Sequence, residues 1–462
     1  VIVSGHEGQS GEPAPSGLTL RDYQERVILK AGRAFAAGRR AVLICSPTGS
    51  GKSTIGVEIA RRHLEKNPIG EVVWTCNRAE LIEQACATFY RARVATAVVS
   101  ASSRRANEAG ARVRVCSIQT LMARDVPLAP TLVISDEAHR MPAEASAAVL
   151  ARWPTAPLIG LSATPARETG AGLAPMFDAL VVAATVRELT ASGYLAPLDI
   201  VAPGKALAPG RICMSPVDAY ARHGEGRACI VFAPHLAAAR AYSTDFACAG
   251  VRVGMVSGEL DPAARADRLR AYEEGRVDVL VNVGVLTEGF DSPRTSMAIL
   301  ARRCGSVVLF LQCVGRILRP HATKARALLV DLTGATHLHG RPDADRVYSL
   351  EGRAITRGVD APDGSFCKVC GGLLGKDPAC EDCGYTREGI EPPKVVHAPM
   401  RVLARDICAG DSEIVRIQRL AKWLKDASER GQKRGAAMHR FKGTYQRFPS
   451  SDEIRAAMGK AS

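Results

Sequence analysis

The residues Ser46-Pro-Thr-Gly-Ser-Gly-Lys-Ser-Thr54 have the types and spacing to hold a nucleotide's phosphates. Gly49 and Gly51 allow a tight turn whose N–H groups point inward, with Thr48 and Ser50 between and beside them. Lys52 can reach the β- and γ-phosphates, and the hydroxyls of Ser53 and Thr54 lie beside it, Ser53 placed to ligate Mg²⁺. Ser46 stands where such a loop usually begins with Gly or Ala. A second group of residues, Asp136-Glu137-Ala138-His139, offers two adjacent acids. Asp136 could complete a Mg²⁺ shell and Glu137 could orient or deprotonate an attacking water; two such acids could also simply cap a helix. Ser162-Ala-Thr-Pro165 adds the hydroxyls of Ser162 and Thr164, or is a turn. Gln312, Arg316 and Arg319 recur at helical spacing, so they are predicted to share one helix face, with Gly315 permitting close approach. Two guanidinium groups there suit the charge of a transferring phosphoryl group. The alternative is a solvated basic face.

Each of these groups needs an element to position it. The apolar run Ala41–Cys45 precedes the glycine turn and a helical pattern from Ile55 to Leu64 follows, which is the strand–loop–helix context of a phosphate loop. That helix turns its positive dipole end to the anion. Further apolar strands are predicted at 71–75, 94–99, 112–116, 131–135 and 158–162, with a helix at 79–91. Near-continuous apolar strands separated by helices predict a parallel sheet covered on both faces, with ligands at the strands' carboxyl ends. Upstream, 18–24 opens a helix capped by Thr19 or Asp22, on which Gln24 could read an adenine edge or lie on the surface. Glycines and prolines from 166 to 210 put a domain boundary near 195–225. A second α/β unit follows, with strands at 229–233, 251–257, 277–282, 296–301 and 326–332 and a helix at 262–274 capped by Asp261. It lacks a second phosphate loop, and its polar loop 285–293 contains Thr287, Gly289 and Asp291.

The bulk composition narrows the partners. The 462 residues carry a net charge of +14 with a pI near 9.3, which favours a polyanionic partner, most often nucleic acid, over charge that merely solubilises the surface. No run of 18 apolar residues predicts a membrane span. The absence of a leader pattern, with ten of the 14 cysteines scattered, leads us to expect a reduced, cytoplasmic protein. The other four, Cys367, Cys370, Cys380 and Cys383, form two Cys-x-x-Cys-Gly turns suited to tetrahedral Zn²⁺, with an iron site or redox-active thiols as alternatives. From 401 to 462 there are 14 Lys and Arg against 7 Asp and Glu. Aromatics at 441, 445 and 448 interleave with these cations and could stack on bases or form a small helical core.

Taken in order, the motifs from about 18 to 335 resemble those of superfamily 2 helicases. Arg21 and Gln24 match the adenine-reading motif; the phosphate loop, Asp136–His139 and Ser162–Pro165 match motifs I to III; Thr287–Asp291 and Gln312–Arg319 match motifs V and VI. Asn77–Leu81 and Ile118–Leu121 look like the strand-contacting segments. The resemblance therefore implies nucleic-acid contacts at Arg78, Gln119, Thr120 and Thr287, and coupling through His139, Ser162 and Thr164. It adds Gly289, Asp291 and Gln312 to the ATP site and makes Arg316 and Arg319 cross-cleft fingers. The cysteine quartet and basic tail resemble the RadD branch of bacterial repair helicases and its phage-borne relatives. The expected architecture is α/β: a disordered tail (1–17), two tandem RecA-like domains (18–195 and 226–345) joined by a linker (196–225), a four-cysteine zinc module (362–390) and a basic helical region (400–462). The expected function is ATP- and Mg²⁺-dependent unwinding or translocation of DNA more than RNA, with repair or recombination proteins as possible partners. A duplex remodeller and a non-hydrolysing adaptor are the competing readings.

Overall fold

The computed structural model describes residues 18–101, 110–141, 148, 152–167, 170–224, 226–286, 290–351 and 393–403, with scattered positions between 420 and 458. Helix α1 (Asp22–Ala36) precedes the first sheet. That sheet comprises β1 (Ala41–Cys45), β2 (Val72–Cys76), β3 (Thr96–Val99), β4 (Val113–Ser117), β5 (Leu132–Ser135), β6 (Leu158–Ser162) and β7 (Ala179–Val182). Their order is β3-β4-β2-β5-β6-β1-β7, and the pairings are parallel. The predicted strands lie within two residues of these bounds. Every residue of β1 and β2 is buried, as helices on both faces require. Val42 and Ile44 pack into one core with Trp74 and Ile55, while Leu43 packs on the opposite face with Val73 and Phe177. That is the two-residue alternation of a strand with two buried faces. Helices α2 (Lys52–Lys66) and α3 (Ala79–Arg91) cover the first face.

The order places β5, β6 and β1 side by side. Asp136 follows β5, Ser162 ends β6 and the phosphate loop follows β1. Three segments distant in sequence thus meet at one carboxyl edge.

The second sheet has the order β11-β12-β10-β13-β14-β8-β16. Its strands are β8 (Leu198–Pro203), β10 (Cys229–Phe232), β11 (Val253–Ser257), β12 (Val279–Val283), β13 (Met297–Leu300), β14 (Ala327–Asp331) and β16 (Met400–Val402); β9 (Arg211–Ile212) pairs separately with β15 (Lys394–Val395). Between α3 and this sheet run α4 (Ile118–Ala123) and α5 (Val186–Ala191). Beyond them run α6 (Pro216–His223), α7 (Leu236–Cys248), α8 (Pro262–Glu273), α9 (Val307–Gly315) and α10 (Ala335–His339). Two parallel-sheet α/β domains in tandem, consistent with RecA-like domains, are therefore present.

Several expectations need correction. The stretch 196–225 is not a bare linker, because β8 pairs with β14 in parallel, Leu198 opposite Ala327. Proline and glycine flank that strand without interrupting its ladder. Residues 400–402, assigned to a helical tail, instead form β16. The α1 N-cap is Arg21, not Thr19 or Asp22: Arg21 N–H donates to Gln24 Oε1 at 2.9 Å. Helix α9 ends at Gly315, so Arg319 leaves the predicted helical face. Asp261 does cap α8, its carboxylate accepting from Ala263 N at 2.9 Å.

A second compact unit, Val402–Ser462, has its own small core of Leu420, Leu424, Ala437, Phe441 and Ala457. Phe441 is fully buried there, which removes it as a base-stacking residue. Tyr445, Phe448, the cysteines 367, 370, 380 and 383, Thr287, Gly289 and residues 1–17 lie outside the described residues.

Candidate active site

The phosphate loop leaves β1 and turns through Gly49 (φ +84) and Gly51 (φ +83), both in the left-handed region. Gly51 is the N-cap of α2, so the loop delivers Lys52 and Ser53 at a helix N-terminus. Ser46 fits without strain: it is buried, and its Oγ lies 2.6 Å from Ser50 Oγ, bracing the turn. Its N–H donates to Ser162 O at 2.9 Å, tying the loop to β6.

The acids face the loop. Asp136 Oδ2 lies 3.5 Å from Ser53 Oγ, and Glu137 Oε1 lies 3.7 Å from Lys52 Nζ. Glu137 has φ +47, a left-handed conformation that a non-glycine residue adopts only where surroundings hold it. Burial first, then the neighbouring Glu137 charge, push the Asp136 carboxyl up to about 7, while Lys52 pulls the other way. Two acids against one lysine leave negative charge for a cation to neutralise. The Ser53 and Asp136 oxygens are close enough to share one Mg²⁺, whose oxygen ligands sit about 2.0–2.1 Å from the ion. The donor set therefore fits that metal. Glu137 Oε2 is buried, lies 3.5 Å from His139 Nδ1 and makes no hydrogen bond, as suits an oxygen that takes a water's proton.

The second domain closes on this site. Arg316 Nη1 donates to Phe290 O at 2.7 Å and Arg319 Nη1 donates to the same oxygen at 3.3 Å. Arg319 also pairs with Asp291 at 2.7 Å. Although Arg319 lies beyond α9, a methyl placed on Gly49 would meet its Cγ at 3.1 Å, so its side chain lies against the phosphate loop. A methyl on Gly315 would sit 2.3 Å from Thr48 Cβ. Glycine at 315 is what lets α9 touch the loop.

A hydrogen-bonded chain crosses between the domains. Ser162 Oγ donates to Thr164 O and lies 2.9 Å from His139 Nδ1, while Gln312 Nε2 lies 2.7 Å from His139 Nε2. Since Ser162 spends its proton on Thr164 O, His139 must donate from Nδ1, which leaves Nε2 to accept from the Gln312 amide. One tautomer satisfies all three contacts. His139, Ser162, Thr164 and Gln312, the last expected at the ATP site, are thus brought together.

The predicted adenine readers cluster beside the loop. Gln24 Nε2 donates to Ser50 O at 3.2 Å, and the Tyr23 hydroxyl donates to the same oxygen. The Arg21 guanidinium lies 4.5 Å from the Tyr194 ring centroid, within cation–π range. Neither Tyr23 nor Tyr194 stood out in the sequence; an aromatic one residue before Gln24 was the available signal for Tyr23, and nothing local marked Tyr194.

The expected strand contacts divide. Arg78 Nη1 reaches Val285 O at 3.5 Å and Glu80 pairs with Arg265 at 2.9 Å, so the segment after β2 touches the second domain. Gln119 Nε2 donates to Asn77 O at 3.0 Å beside it. Thr120 is buried, which takes it off the surface a strand could touch.

Comparison with known proteins follows the same two domains. Residues 17–167 match the family described as the type III restriction enzyme res subunit, and residues 214–321 match the helicase conserved C-terminal domain. The chain is 28% identical over 365 residues to a 51.5 kDa protein of Lactococcus phage (isolate 7-9), covering 71% of this chain and 77% of that one. It is 24% identical to the putative ATP-dependent helicase IRC3 of Saccharomyces cerevisiae, covering 70% of this chain and 52% of the yeast protein, about half its length. The fragment structure of a putative HsdR subunit from Vibrio vulnificus YJ016 shares the fold with TM-score 0.58 at 20% identity, covering 71% of this chain and 67% of that one. The DUF1998 helicase MrfA bound to DNA does so with TM-score 0.53 at 15% identity, covering 69% and 47%. The two domain matches lie in tandem on the two sheets, with the phosphate loop and arginines meeting between them, and together with a relative named as an ATP-dependent helicase they support a superfamily 2 helicase, a nucleic-acid-dependent ATPase.

Proposed function

We propose that this chain is an ATP-driven motor on DNA, of the RadD-like kind, serving repair, recombination or replication. The observation that carries the reading is the contact of Arg319 with the loop that bears Lys52, with Arg316 beside it on the Phe290 carbonyl. In this reading Lys52 and the loop N–H groups hold the phosphates, and Glu137 orients the attacking water. Arg316 and Arg319 stabilise the spreading phosphoryl charge only when the domains meet. Mg²⁺, held by Ser53 and Asp136, would neutralise phosphate charge. Gly289 and Asp291 would complete the nucleotide contacts. Closure would change the grip on a strand lying over Arg78, Gln119 and Thr287, through His139, Ser162 and Thr164.

DNA is preferred to RNA because the chain is strongly basic and solved structures sharing the fold are described as DNA-bound, although one, Dbp5, is described as RNA-bound. The likeness to restriction-enzyme subunits favours a second reading, duplex translocation without strand separation. ATP turnover measured with and without single-stranded DNA tests the motor, with strand displacement and translocation assayed in parallel. Lys52→Ala should abolish turnover while DNA binding persists, and Arg319→Ala should abolish it with ATP binding intact. Full turnover in Arg319→Ala would remove the cross-cleft assignment. The four cysteines would hold a structural Zn²⁺.

A further inference from the structure

The segment carrying Arg319 leaves α9 at Gly315 and runs to β14 without a helix or strand of its own. A loop can place a guanidinium accurately only if its backbone is held. Here three consecutive carbonyls are held. Leu318 O accepts from Ala196 N at 2.7 Å. Ile317 O and Arg319 O both accept from one side chain, Lys324 Nζ, at 3.1 and 2.7 Å. Lys324 N donates to His321 O at 2.9 Å, and the two residues form an isolated antiparallel bridge, so the chain doubles back beneath the loop.

Lys324 is only 7% exposed. Lysine is almost never this buried unless its charge is used. Its acceptors are backbone oxygens, and burial and the adjacent Arg319 charge depress its pKa to about 8. An ammonium kept beside another cation under that penalty points to a task that neutral packing would not serve. A charged donor shared by two carbonyls makes stronger bonds than a neutral one.

We propose that Lys324 is a positioning residue for ATP hydrolysis: its ammonium ties the carbonyls of Ile317 and Arg319 together and so aims the Arg319 side chain at the phosphate loop. The proposal rests on the ATPase reading above. Lys324→Met keeps the aliphatic stem and removes the donors. The expected result is a fall in kcat of about 10²-fold, the scale of a 1 Å misplacement, with KM for ATP and fluorescent-ATP affinity within about threefold of wild type. In an Arg319→Lys background, which keeps a cation and a measurable residual turnover, the same change should cost far less, because Lys324 acts through Arg319. A residue that only stabilised the fold would lower kcat equally in both backgrounds, and that additivity would overturn the proposal. If Lys324→Met melts below the assay temperature, Lys324→Arg and Lys324→Gln take its place, with kcat expected in the order Lys, Arg, Gln at constant KM. Equal kcat in all three overturns it. A wild-type protein that hydrolyses no ATP even with DNA present defeats the ATPase reading and this proposal together, whereas active wild type with unaffected variants defeats this proposal alone.

Discussion

At the scale of single residues, Gly315 decides whether the two domains can share a site. Any side chain there would enter the space of Thr48 Cβ, 2.3 Å away. Neither backbone can yield easily, because α9 is buried along almost its whole length and Thr48 belongs to a turn braced by Ser46 and Ser50. Gly315→Ala is therefore expected to push α9 off the loop and lower kcat by about 10²-fold, with ATP still bound by the first domain. Stopped-flow nucleotide binding and steady-state turnover on the same preparation check this. The sequence made Gly315 visible as a gap between Gln312 and Arg316, and made Lys52, Asp136 and Glu137 visible by motif. It could not show that Ser46 would find Ser50, or that Tyr194 would lie under Arg21, because those contacts join residues by folding and not by spacing.

At the scale of elements, the strands were legible because both faces of each sheet are covered. Apolar runs as short as Val72–Cys76, rich in β-branched and aromatic residues, suit strands buried on both faces. The Asp261 cap was legible because a carboxylate before Pro262 offers both the acceptor and the preset backbone that starts a helix. Strand β8 was missed since prolines and glycines around it resemble a linker, and its strand identity depends on β14 being available to pair. The end of α9 was missed for a related reason: the 312–319 pattern continues a helical period after the backbone has turned away. The stretch from 362 to 390, outside the described residues, is poor in apolar side chains, so under the zinc proposal the metal would supply its folding energy. One Zn²⁺ per chain is expected from elemental analysis, and strong chelation should unfold that stretch. A stable protein without zinc would remove the assignment.

For the molecule as a whole, what matters is how one domain learns the state of the other. The described contacts between the sheets include polar ones: Gln312 on His139, Arg78 on Val285 and Arg265 on Glu80. Gln312→Leu keeps comparable bulk but leaves His139 Nε2 without that donor. Turnover without DNA should persist, while its stimulation by single-stranded DNA should fall several-fold; comparing ATP turnover in the presence and absence of DNA checks it. Unchanged stimulation would place coupling elsewhere. The sequence alone determined which groups exist and which sheet edge would gather the phosphate loop with its acids, because strand burial and motif order are local properties written every few residues. Only the tertiary structure decided that Arg319 reaches the loop from beyond its helix, that one histidine tautomer joins the domains, and that a buried lysine holds the arginine's backbone. Those outcomes depend on which surfaces come within a few ångströms of one another, and that distance is set by the packing of all the elements together.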